Sequence, residues 1–179
     1  MHYIRFRMKI WTKYKDNTIF RFALSFAIGT GLNLLVTYSP IISNTIYNFT
    51  TNLNLSTLMA YLTTKHLNLL GISAFTTGNK ITIGENSIYF NYACLGICNI
   101  VRFAGFILTY FGQFYKKLLY ILVGIFVMVI ANVSRVTLIG IAISYDYSLF
   151  EPFHDYGTIF IVYGTMFLLW VVWSKKNNR

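Results

Sequence analysis

A thiol, a guanidinium and an imidazole occur at Cys94, Arg135 and His154, each in a different segment of a strongly apolar chain. Together they are the parts of a cysteine-dependent acyl-transfer site. The thiol supplies the nucleophile, the guanidinium steadies a thiolate or a developing oxyanion, and the imidazole moves protons near neutral pH. Cys94 ends an extended stretch and opens an apolar run that reads as a helix. A helix N-terminus carries unpaired N–H groups and partial positive charge, and both favour an anionic sulfur. Gly96, two residues on, permits close backbone approach. Cys98 follows Cys94 by four residues on what reads as the same helix and face, with no special placement of its own.

Arg135 lies ~26 Å along a run that starts near Leu118, at ~1.5 Å per helical residue. That is close to the outer edge of a hydrocarbon core about 30 Å thick. A cation there costs about 2–3 kcal/mol. It is offset either by snorkelling to the headgroups or by facing a polar bundle interior. Asn132, three residues earlier, shares its helical face and is placed to orient the guanidinium or to bind substrate backbone. His154 sits in Glu151-Pro152-Phe153-His154-Asp155. Glu151 and Asp155 are candidates to orient its ring, but Asp155 also suits the N-cap of the next helix, with Gly157 close by, and the cap is the expectation. Arg102, eight residues past Cys94 in an apolar run, carries no assigned role. His66 reads as solvated and His2 belongs to a basic tail.

The elements that must position these residues follow from composition. Of 179 residues, 56% are hydrophobic and 11% charged, far below the roughly 25% charge of soluble domains. The apolar residues collect into four runs, at 20–38, 95–111, 118–144 and 158–173, each read as a transmembrane helix. The fold class is therefore all-α integral membrane, one membrane domain over 1–179. The net charge of +10 does not point to nucleic acid, because its placement is that of loop charges. Eleven of the fifteen basic residues flank the runs: Arg5 to Arg21 before the first, Lys116 and Lys117 between the second and third, Lys175, Lys176 and Arg179 after the last. The positive-inside rule then puts both termini, including the basic tail 1–19, in the cytoplasm. The segment 39–94 and the loop before 158 lie outside. Cys94, Arg135 and His154 thereby arrive at one membrane face.

Within 39–94, leucines from Leu55 to Leu70 recur among polar residues, predicting an amphipathic helix over 53–70, lying on the membrane surface or half inserted. Gly71 is a stop. Gly78-Asn79 is a hairpin signal between Ile72–Thr77 and Lys80–Gly84. A second turn at Glu85-Asn86 leads to Ser87–Tyr92, so a small β-meander delivers the chain to Cys94. Two cysteines make no disulfide framework.

Three blocks now resemble a known family. Tyr92-Ala93-Cys94-Leu95-Gly96-Ile97, Asn132-Val133-Ser134-Arg135 and Phe153-His154-Asp155-Tyr156-Gly157 resemble the signature blocks of the exosortase/archaeosortase family, integral membrane cysteine transpeptidases. The resemblance covers about 53–173 and is that of a compact member. Leu95 stands where the family often has a small polar residue. It implies Cys94, Arg135 and His154 as catalytic residues and no cofactor. It also implies a partner: a membrane-anchored exported protein whose C-terminal sorting signal is cleaved at the outer face of the cytoplasmic membrane, with an amine or water resolving the thioester. A competing reading is non-enzymatic: Cys94, Cys98 and His154 binding a soft metal ion, or a part in assembling an export complex. Against metal binding, Arg135 would repel a cation. The oligomeric state is not readable from the sequence.

Overall fold

The computed structural model of the chain describes residues 17–177. Most of the basic tail, Arg179 and His2 lie outside the described residues. Helix α1 spans Thr18–Tyr38, started by Asn17, whose side chain accepts the Ile19 N–H at 2.9 Å. Pro40 opens α2, Pro40–Asn52, a helix the sequence reading left unassigned. Helix α3 is Leu55–Leu69, followed by β1 Ala74–Thr77, β2 Lys80–Ile83 and β3 Asn86–Tyr89. A 3-10 turn, Tyr92–Leu95, leads to α4 Ile97–Thr109 and α5 Phe114–Tyr145. A second 3-10 turn, Tyr147–Leu149, then runs through α6 Phe150–Gly157, a π-helical stretch Thr158–Tyr163 and α7 Gly164–Asn177.

Three helical stretches are long and apolar enough to cross a membrane: Thr18–Tyr38, Phe114–Tyr145 and Tyr147–Asn177. The run expected to span at 95–111 is the 13-residue α4. At ~1.5 Å per residue it is ~20 Å long, short of the about 30 Å of a hydrocarbon core. It packs along α1 with very close backbones. A Cβ on Gly29 would lie 2.7 Å from the Arg102 carbonyl oxygen, and one on Gly105 would lie 3.0 Å from the Gly29 Cα. Small residues allow this approach where apolar burial gives helices in lipid no reason to associate.

The basic ends gather at one pole. The Arg21 guanidinium lies 4.2 Å over the Phe111 ring. Lys117 Nζ donates to the Leu108 carbonyl at 2.7 Å, and a Cβ on Gly112 would lie 3.1 Å from Asn177 Oδ1. An aromatic core fills this half, with Trp170 stacked on Phe106 at 4.8 Å and Trp173 against Tyr120 at 4.8 Å. The opposite half has a mainly aliphatic core joining α3, the sheet and the late turns of α5, built on Leu67, Ile81, Ile83, Val136 and Ile139 with Phe90 among them.

The meander is antiparallel in the order β1-β2-β3. Gly78-Asn79 forms the first turn as expected. The second turn is Gly84-Glu85, because Asn86 already pairs with Ile83. Helix α3 ends on Gly71 with Ile72 N–H bonded to the Leu67 carbonyl and Gly71 N–H to that of Asn68, a Schellman closure. Its two faces differ. Met59, Ala60, Thr63, Thr64 and Leu67 are buried, whereas Leu58, Leu62, Leu69 and Leu70 are exposed. Threonines pack inward because the neighbour is the small sheet. His66 is not merely solvated: its Nδ1 lies 3.1 Å from Thr137 Oγ1 on α5.

Candidate active site

Cys94 is positioned by a chain of local bonds. Phe90 donates its N–H to the Asn79 carbonyl at 2.9 Å and accepts from Asn79 Nδ2 at 2.8 Å, pinning the end of the meander. Asn91 then caps the 3-10 turn, its Oδ1 accepting the Cys94 N–H at 3.0 Å. From the side, Asn132 Nδ2 on α5 donates to the Cys94 carbonyl at 2.7 Å. Asn132 thus holds the backbone of the cysteine rather than the guanidinium. Gly96 has φ +72 and separates this turn from α4. Only glycine takes that conformation without strain. Cys94 and Cys98 are consequently not on one helix. The thiol stands on its own capped turn, not in the first turn of α4, because Gly96 breaks the helical path.

Arg135 is 7% exposed, so it does not snorkel. Its Nη1 donates to Thr158 Oγ1 at 3.0 Å, and that hydroxyl donates to the His154 carbonyl at 2.6 Å. The guanidinium and the Cys94 thiol line the same cavity, close enough to interact electrostatically. Its Nε has no hydrogen-bond partner among the described residues. Gly157 makes room for the stem: a Cβ there would lie 3.3 Å from Arg135 Cγ.

His154 is on α6, half exposed, its ring stacked on Phe150 with centroids 5.8 Å apart. Nδ1 lies 3.0 Å from Asp155 Oδ1. Asp155 is therefore not the N-cap of the last span. The helical path starts before it, at Tyr147, so no free N-terminus is left there to cap, and its carboxylate faces the ring instead. Asp146 is the residue that caps, its Oδ1 accepting the Ser148 N–H at 2.9 Å. That bond holds the Asp146 carboxyl below its ordinary range.

Cys94, Arg135 and His154 line one cavity of about 310 Å³ together with Ser87–Asn91, Val136, Ile139, Tyr147 and Phe150. Three segments separated by up to 60 residues of chain meet at the pole opposite the basic ends. Thr158 and Phe150 were missed by sequence reasoning, and nothing local marks them; Asn79 was marked only as a turn residue. Asn91 was missed although a signal existed, since Asn three residues before an N–H is a capping pattern. Burial, and secondarily the Cys98 thiol, push the Tyr92 phenol above its ordinary value.

Cys98 does not join this cavity. Its sulfur lies 3.6 Å from Thr37 Oγ1 on α1, so the trio needed for a soft-metal site is not assembled. Among the described residues no group of three or more His, Cys, Asp or Glu side chains is gathered. A second polar cluster surrounds Cys98 instead. With its amide oriented to satisfy its neighbours, Asn33 donates to the Cys98 carbonyl at 2.9 Å and accepts from Arg102 Nη2 at 2.8 Å. The Arg102 guanidinium lies 5.8 Å from the centre of the Tyr163 ring.

Neither a curated protein nor a solved structure matches the chain. The family model described as transmembrane exosortase matches residues 19–171, most of the chain. With the membrane-length helices and the sheet that precedes Cys94, this match fixes the kinship: the chain belongs to the transmembrane exosortase family.

Proposed function

We propose that this protein is a membrane cysteine transpeptidase or protease that cleaves C-terminal sorting signals of exported proteins. The reaction runs at the outer face of the cytoplasmic membrane, with both termini in the cytoplasm. The observation that carries the reading is the shared cavity of Cys94, Arg135 and His154. Cys94 attacks the scissile carbonyl as a thiolate, forming the S–C bond. His154 accepts the thiol proton and delivers it to the leaving amine as the C–N bond breaks. Asp155 on Nδ1 leaves Nε2 as the working nitrogen. Arg135 stands beside the sulfur, first as counter-charge to the thiolate and then to the oxyanion, an effect of a few kcal/mol in a water-poor site. Asn132, Asn91 and Gly96 hold the cysteine backbone, while Thr158 ties the guanidinium to the His154 turn. An amine or water then attacks the thioester and releases Cys94.

The test is gel mobility of exported membrane-anchored proteins in cells with and without this chain. Cys94→Ala leaves precursors unprocessed while the protein remains folded in the membrane, and an impermeant thiol reagent labels Cys94 in preference to Cys98. Normal maturation of every precursor by Cys94→Ala removes the nucleophile assignment.

A further inference from the structure

The sheet has two edges, and they are treated differently. Phe90 pairs with Asn79 through a backbone bond, so in the alternation of an antiparallel ladder Ile88 and Asn86 also face β2. The N–H and C=O groups of Ser87 and Tyr89 consequently point away from β2, to the open side of β3. On the far edge the same alternation turns Ala74 and Thr76 outward, and both backbone groups of Ala74, where that edge begins, are covered. Asn68 Oδ1 accepts the Ala74 N–H at 2.9 Å, and Asn68 Nδ2 donates to its carbonyl at 3.1 Å. No such partner meets Ser87 or Tyr89 among the described residues.

An open edge is a template for pairing, which folded proteins otherwise blunt. This one is not on bare surface. Ser87 to Asn91 form one wall of the cavity that holds Cys94, Arg135 and His154, and α5 and α6 form the other. The edge runs directly into the Asn91 cap of the Cys94 turn. Asn86 Nδ2 fixes its start by donating to the Ile143 carbonyl at 2.8 Å.

We propose that the β3 edge is the substrate-binding rail. An extended, non-helical polypeptide segment pairs with the outward groups of Ser87 and Tyr89 as a fourth strand, which lays its scissile carbonyl at Cys94. This rests on Cys94 being the nucleophile. Affinity then comes from the main chain, so the segment is recognised as extended backbone emerging from the membrane. Its alternate side chains select against the cavity wall.

The probe is an acetylated peptide aldehyde of alternating threonine and valine, ending in glycinal, applied to the full chain in nanodiscs. The thiol adds across the aldehyde carbonyl, its proton passing to the oxygen, and protection of Cys94 from alkylation reads occupancy. Each peptide amide is N-methylated in turn. Affinity falls about tenfold at every second position and little at those between, since each lost edge bond has roughly that weight. Tyr89→Pro, which removes an outward N–H and leaves the ladder bonds intact, weakens the peptide about tenfold relative to N-acetylglycinal on the same variant. Losses without a period of two overturn the rail, as does a peptide that protects no better than N-acetylglycinal. If neither aldehyde protects Cys94, the nucleophile assignment fails, and the rail with it. The methylation series uses the unaltered protein, so a misfolded proline variant does not blunt the test.

Discussion

Two clusters in this molecule have the same parts. In one, Asn132 donates to the Cys94 carbonyl and Arg135 lies beside the thiol. In the other, Asn33 donates to the Cys98 carbonyl and bonds Arg102. The difference is what the sulfur and the guanidinium meet. Cys94 opens on a cavity with an imidazole across it, and Arg135 keeps donor capacity beyond its Thr158 bond. Cys98 meets a threonine hydroxyl, and Arg102 lies between an amide oxygen and a tyrosine face. The lesson is that a cysteine, an arginine and an asparagine brought together in a membrane protein make either a candidate site or a joint. A void and a proton carrier decide which. The second cluster pairs Asn33 with Arg102 where α4 meets α1, although Arg102 Nε, like Arg135 Nε, has no hydrogen-bond partner among the described residues.

The largest effect that separates the two is at the sulfurs. Cys94→Ala abolishes precursor processing, whereas Cys98→Ala leaves it near that of the unaltered protein. Equal loss in both variants, measured by gel mobility at matched membrane levels, would erase the distinction. The arginines come next. Arg135→Gln lowers the processing rate about 10²–10³-fold, the weight of a lost oxyanion donor. Arg102→Gln changes the rate per folded molecule little but lowers unfolding stability by about 1–3 kcal/mol, since Asn33 loses a buried partner. Thermal unfolding in nanodiscs and initial rates on one preparation discriminate the two. Gly96→Ala then strains a left-handed position by about 1–2 kcal/mol, and its processing falls more than the folded fraction does, because the Cys94 turn moves.

The smallest effect is at the rim. Asp146 caps the turn that brings Tyr147 and Phe150 to the cavity. Its carboxyl is depressed in the folded state, so its contribution is present above the unfolded carboxylate value and is lost as pH falls through the folded one. Asp146→Ala removes this acid-side loss, and the slope of stability against pH below the carboxylate range reads it.

Which parts were legible follows from what kind of signal each leaves. The long apolar runs are sums along the chain, and three of the four stand in the structure as membrane-length helices, whereas the run at 95–111 does not. The Gly78-Asn79 turn and the Gly71 stop are local backbone preferences and also held. The cap at Asp155 failed because the helix continues through it, a choice made by packing on α5. The inward face of α3 was not legible, because which of its residues are buried depends on the sheet beneath.

By itself, the sequence determined a membrane-spanning chain with most of its basic residues flanking its apolar runs, and the order of three polar blocks that mark its family. Hydropathy, loop charge and block order are properties of the linear chain, so no fold is needed to read them. Only the tertiary structure decided that Thr158 bridges Arg135 to His154, that Asn132 holds the Cys94 backbone, and that Cys98 is excluded from the cavity. Those contacts join residues far apart in sequence across helices in lipid. There, the small residues and polar pairs that set helix packing leave no periodic trace in the chain.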